Sequence, residues 1–170
     1  SEGNFSVAMR YFLPVLAFAL GIALAEIVHK KDLNLLHWRQ AAVLVEALIL
    51  IGVAFFPQNM NLLANSLTSF ACGIQVESFR KIRGNGIATT MCIGNMRSGT
   101  QNLCNYLQDR DIENLKKALL YYGIIICFIC GAIVGNLFIK IFAEKAILCC
   151  SALLFFAFTL MFIDYEREKE

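Results

Sequence analysis

The sequence predicts an all-α integral membrane protein: a polytopic helical bundle with an internal repeat and one broken or re-entrant polar helix. Three observations predict it. First, the 170-residue chain is 58% hydrophobic and only 16% charged, with a mean hydropathy of +0.62, where soluble domains carry about 25% charged residues. A chain this small cannot hide so much apolar surface in a core of its own, and lipid accepts it. Second, apolar stretches recur at close to the length of about 20 residues that crosses a bilayer. Third, a polar stretch lies among them that no lipid-facing helix would tolerate. The net charge of +2 comes without a basic tract, so nothing points to nucleic acid.

The elements follow in order. Residues 11–28 form a first apolar segment, with Pro14 expected in its first turn, where a missing N–H costs little, and it ends in His29-Lys30-Lys31-Asp32. Trp38 and Arg39 mark a membrane interface, and His29 and His37 are interfacial with them. Residues 41–56 form a second segment containing Glu46, ended by Pro57-Gln58-Asn59. Residues 62–79 are apolar but carry Asn65, Ser66, Thr68, Ser69, Gln75 and Glu77, and run into Arg80-Lys81-Ile82-Arg83. Gly84-Asn85-Gly86 signals a loop. Residues 87–107, IATTMCIGNMRSGTQNLCNYL, are rich in small and polar residues around Arg97. They must be buried in protein, re-enter, or line a wet cavity. Residues 109–117 read as a charged amphipathic linker. Residues 118–139 and 146–163 are two further spans, and 164–170 a charged tail.

The first and fifth segments align without gaps: Tyr11 on Tyr121, Phe18 on Phe128, Gly21 on Gly131, Ala25 on Gly135, Glu26 on Asn136. The second and sixth align with Glu46 on Ser151 and Ala47-Leu48 on Ala152-Leu153. Residues 1–60 are then a transmembrane hairpin, the second half of an incomplete first repeat, and 61–170 a complete second repeat. A polar unit matching residues 62–108 is expected before Ser1, and the lack of an initiator Met fits that. The alternative is that the second half acquired an extra unit.

Phe70, Gly73, Gln75, Phe79, Arg80, Thr89, Thr90, Gly94 and Asn95 carry a pattern that resembles the YoaK-like family of bacterial multi-spanning membrane proteins of unknown function. That family's Thr-Gly-Asn stands here as Ile93-Gly94-Asn95. The flanking hairpins also look like the family's, so the resemblance covers nearly the whole chain. It implies a multi-pass protein of the bacterial inner membrane, and a further polar unit ahead of the first hairpin. It implies no activity.

Cytoplasmic loops are enriched in Lys and Arg, which puts Lys30, Lys31 and Arg39 inside, the chargeless Pro57 loop outside, and Arg80, Lys81 and Arg83 inside. Residues 87–107 either span or re-enter. Re-entry keeps Arg110, Lys116, Lys117, Arg167 and Lys169 inside and fits the charge rule better. It also makes the repeats inverted, three spans each, an arrangement found in transporters.

Arg97 is the sharpest chemical signal, because an Arg at mid-bilayer costs at least about 2.5 kcal/mol and must face a partner or water. It contacts a solute anion or forms a buried ion pair with Glu77 or Glu46. Gly94-Asn95 offers close backbone approach and amide hydrogen bonding, with Thr89 or Thr90 capping the helix that follows the Gly loop. A helix starting there aims free N–H groups inward. The plainer account is packing between helices. Glu26 lies near Lys30 and snorkels to the interface, whereas Glu46 and Glu77 lie deeper and bind a proton or a cation. The candidate solute or ion path is therefore Gln75, Glu77, Thr89, Thr90, Gly94, Asn95, Arg97 and Glu46. Gly131-x-x-x-Gly135 is a helix-packing motif for contacts between repeats or between protomers of a homo-oligomer. The seven Cys are expected as small buried hydrophobes, and Cys127-x-x-Cys130 has neither a second pair nor a nearby His for a metal. No enzyme motif is present, and no cofactor or metal is expected. The sequence points to a membrane transporter or channel-like protein for a small polar or charged solute. The alternative is a non-transporting scaffold or sensor whose polar unit is a packing core.

Overall fold

A computed structural model describes residues 5–30, 35–82, 84–87, 89 and 91–167. Among the described residues the chain is all-α apart from one tiny β-ribbon. Its helices are α1 (Phe5–His29), α2 (Leu35–Val53), α3 (Asn61–Ser78), α4 (Cys92–Asp109), α5 (Ile112–Phe142) and α6 (Ile147–Arg167). Single 3₁₀ turns, Gln58–Met60 and Ala143–Ala146, lead into α3 and α6. Two helices are long and apolar enough to cross a membrane: residues Val7–His29 of α1, and α5. The chain divides into two compact units, Ser1–Ser78 with Ile141–Glu170, and Phe79–Lys140.

The first unit is built on contacts of α1 with α3, and of α2 with α3 and α6. Ala25 of α1, Ala42 of α2 and Ile74 of α3 are buried together under Trp38 and Phe70. Small residues at the centre let the helix backbones approach closely, the way helices associate without a hydrophobic drive from water. The approach is closest where α1 crosses α3. A Cβ on Gly21 would strike the Phe70 carbonyl oxygen and lie 3.2 Å from the Gly73 Cα, and one on Gly73 would strike the Phe18 carbonyl oxygen.

The contacts also fix the directions of the helices. Residues 13–20 of α1 lie beside 59–66, Gly21 beside Gly73 and Ala25 beside Ile74, so α1 and α3 run the same way. The guanidinium Nε of Arg39, near the start of α2, donates to the Ser78 carbonyl at the end of α3 (3.3 Å), while Glu46 lies near Cys72; α2 is antiparallel to α3. The Gln40 amide donates to the Met161 carbonyl (3.2 Å), and Glu46 lies near Cys150; α6 is antiparallel to α2.

In the second unit, β1 (Lys81–Ile82) pairs antiparallel with β2 (Asn85–Gly86) around Gly84, whose φ of 78° suits a residue without Cβ. α4 packs on α5 at Gly99, where a Cβ would stand 3.2 Å from the Tyr121 Cβ, and the Thr100 and Tyr122 hydroxyls share a hydrogen bond of 2.9 Å. Arg110 joins the two helices in the left-handed conformation (φ 56°). Its N–H donates to the Tyr106 carbonyl (2.9 Å), and its guanidinium lies 5.8 Å from the centre of the Tyr106 ring.

Several expectations need correction. Pro14 is not in the first turn, because α1 already begins at Phe5 and carries Pro14 inside. There it deprives the turn of one hydrogen bond. The charged linker at 109–117 is mostly helix: Asp111 accepts the Glu113 N–H (3.0 Å) as an N-terminal cap, and Lys116 pairs with Glu113 at 2.9 Å, so α5 starts at Ile112. The charged tail is likewise helical to Arg167. None of the seven Cys is buried, and all are free thiols; an exposed apolar helix face gives them no core to fill. On α5, Ile126, Ile133, Leu137 and Ile141 are all more than half exposed, an apolar surface far beyond scattered single residues.

That crossing yields a direct test. Gly21→Ala and Gly73→Ala should each lower stability in detergent by about 1–3 kcal/mol, the cost of overpacking a tight contact. A Cβ on Gly52 meets nothing within 4 Å, so Gly52→Ala should be neutral or stabilising by about 0.5–1 kcal/mol. Thermal unfolding of the three variants checks this.

Candidate functional site

In the first unit the residue that stands out is Glu46. It lies two-thirds of the way along α2 and is 6% exposed. Ala42, Val43, Ala47 and Leu50, buried on the same helix, give it an apolar setting. Cys72 of α3 and Cys150 of α6 are near enough to feel its charge. Ser151, buried on α6, turns its hydroxyl back onto the Ile147 carbonyl (3.4 Å). Glu46 has neither an ion pair nor a hydrogen bond among the described residues. Gln75 and Glu77 are half-buried on α3, in the same unit. Glu26 pairs with Lys30 at 3.1 Å on α1.

The remaining candidates belong to the second unit. Asn95 is 3% exposed on α4, whereas Gly94 and Arg97 on the same helix are exposed. The carboxylates expected as partners of Arg97, Glu46 and Glu77, lie in the first unit. Thr89 is half-buried, with its hydroxyl unpartnered. It does not cap α4: the capping position is Met91, without a side-chain hydrogen bond. The chain stays extended through Met91 (φ −131°, ψ 120°), which sets the helix start beyond the reach of Thr89. Thr90 lies outside the described residues, as does Arg83. A Cβ added at Gly131 or Gly135 would meet nothing within 4 Å, so the contact expected of that motif is not made within the described chain.

Four residues that make these contacts were not singled out for them from the sequence. Gln40, 7% exposed, ties α2 to α6 through the Met161 carbonyl, and no local pattern marks it. Cys72 and Cys150 approach Glu46 from helices distant in sequence, and no local pattern marks them. Tyr121, 7% exposed, donates its hydroxyl to the Gly86 carbonyl (3.0 Å) and so ties the β-ribbon ahead of α4 to α5. A cavity of about 510 Å³ opens between α1 and the start of α3, lined mainly by Leu13, Leu16, Leu20, Met60 and Leu63. It is apolar, and none of the candidate residues lines it.

Residues 1–160 match a family described as a protein of unknown function, DUF1275. The chain belongs to that family. This agrees with the resemblance carried by residues 70–107, which is likewise to a family of unknown function. No curated protein and no solved structure matches the chain.

The Tyr121 bond is open to test. Tyr121→Phe keeps the ring against Gly99 and removes one hydrogen bond, which is worth about 0.5–1.5 kcal/mol. Hydrogen exchange at the Ile87 amide, which donates to the Arg80 carbonyl (3.0 Å), should quicken, while exchange in α1 and α3 stays unchanged.

Proposed function

We propose that the chain is a multi-pass membrane transporter or channel-like protein for a small polar or charged solute, with α4 as a helix that dips into the membrane and returns. The observation that carries this is the set of helix directions in the first unit. Take α1, α2, α3, α5 and α6 as spans. α2 is antiparallel to α3, so α3 ends on the side where α2 begins. α6 is antiparallel to α2, so it begins on the side where α2 ends. α5 delivers the chain to that side, so a spanning α5 must start on the side where α3 ended. α4 therefore leaves and returns to one face.

The charge rule makes that face cytoplasmic, since it carries Lys30, Arg39, Arg80 and Lys81 together with Arg110, Lys116 and Lys117. The repeat supports the same arrangement: Glu46 and Ser151, matched in the two copies, are both buried on α2 and α6, which pack on each other. Broken or re-entrant polar helices set in inverted repeats build solute sites near the midplane. Here that helix carries Asn95 and Arg97, with Thr89 and Thr90 ahead of it in the sequence. The open face at Gly131 and Gly135 is offered to another repeat or a second copy. The second reading is a non-transporting scaffold or sensor, and it is favoured by the one observation that the α1–α3 cavity is apolar.

On a cysteine-free background, single cysteines at positions 94, 97, 101 and 104 should react with a membrane-impermeant maleimide from the cytoplasmic face only. A fluorescent protein fused to the C-terminus should be bright in the cytoplasm. Labelling of these positions from the opposite face would overturn the re-entrant helix. Proteoliposomes assayed with radiolabelled amino acids, sugars and inorganic anions should take up one of these classes. Arg97→Ala should then lose uptake while remaining folded, and full protection of α4 from the maleimide together with no uptake would favour the scaffold.

A further inference from the structure

Glu46 lies on α2, which packs against α3 and α6. From α3 comes the Cys72 thiol, and from α6 the Cys150 thiol; neither is a cation. On α2 itself the charged neighbour is Arg39, which reaches the Ser78 carbonyl at the end of the helix. The Gln40 amide is held by the Met161 carbonyl and the Ser151 hydroxyl by the Ile147 carbonyl. Glu46 is thus a residue 6% exposed, with no hydrogen bond or ion pair among the described residues.

A carboxylate with little access to water and no cation beside it is costly to keep charged, and such a group is neutralised instead. Two agents can neutralise it. A metal cation needs several converging ligands, and among the described residues no three His, Cys, Asp or Glu side chains form such a group. A proton needs none.

We propose that Glu46 is a proton-binding site within the helix bundle, and that uptake and release of this proton is the coupling step of the transport proposed above, on which the coupling role rests. Protonated, the carboxyl sits neutral between α2, α3 and α6. Releasing the proton leaves a bare charge at that junction, and the helices must part or admit water to solvate it. The first unit thus has two states that differ by one proton. Gln75 and Glu77, half-buried on α3, are the polar groups in the same unit along which water could enter.

The test uses the full chain in liposomes and the apolar reagent dicyclohexylcarbodiimide, which takes the proton of a carboxylic acid onto nitrogen while the carboxyl oxygen adds to its central carbon. It therefore labels protonated carboxyls out of water. At neutral pH the adduct should map to the peptide holding Glu46, fade as the pH is raised, and vanish in Glu46→Gln. Glu46→Gln should keep the melting behaviour of the parent, because a neutral amide of the same shape replaces a neutral acid. Absence of the adduct from Glu46, labelling that does not fall with rising pH, or gross unfolding of Glu46→Gln would each overturn the proposal. The outcomes separate the two readings: labelling without uptake of any solute class leaves the proton site and removes transport, whereas uptake with an unlabelled Glu46 removes the proton site and leaves transport.

Discussion

The crossing of α1 and α3 at Gly21 and Gly73 is the constraint on which the first unit rests. Two backbones meet there with carbonyl oxygens where side chains would otherwise be. Because α1 and α3 are locked in parallel, the end of α3 is set where Arg39 can reach the Ser78 carbonyl. That contact orients α2 and brings Ala42 against Ala25 and Ile74. With α2 placed, Glu46 is enclosed by α3 and α6. Larger residues at the crossing would give more apolar contact but would separate the helices, and the enclosure of Glu46 would go with them. Packing of small residues, and not burial of large ones, is what holds this unit: its buried centre is mostly alanine, while large aliphatic side chains face outward.

The second unit is organised on a different principle. α4 is polar and short, and it is held by particular contacts at its edges. The Tyr121 hydroxyl fixes the ribbon that precedes it, Gly99 admits the Tyr121 side chain, and Thr100 meets Tyr122. Adjacent tyrosines on one turn of α5 thus clasp both the approach to α4 and its body. A helix with little apolar surface gains little from lipid or from a core, so directional bonds replace area burial.

The helices were legible in the sequence because length and apolar composition select them, and residues 62–79 fall almost on α3. Their ends were less legible. Arg10 and the Glu113-Lys116-Lys117 cluster look like solvated linker, yet nothing in them breaks a helix, and Asp111 supplies a cap that a charge pattern does not reveal. In the site, Glu46 was visible as an acid in an apolar run. Its surroundings were not, since Cys72 and Cys150 come from helices 26 and 104 positions away and their approach depends on packing angles. The threonines before α4 looked like caps by type, but capping depends on where the backbone turns, and it turns after Met91. Arg97 looked buried because its neighbours in sequence are apolar or small, whereas the helix puts Asn95 inward and Arg97 outward.

The joint at Arg110 has a mechanical consequence. Only Arg110 and Asp111 lie between α4 and α5, and Arg110 holds a left-handed conformation that costs an L-residue about 1–2 kcal/mol. A connector so short has no slack. If α4 twists or slides, the motion passes directly into the first turn of α5, and relaxing the hinge residue requires the angle between the helices to change. The two helices therefore meet at a short, left-handed joint, and a change at the polar helix bears directly on the first turn of the longest helix described.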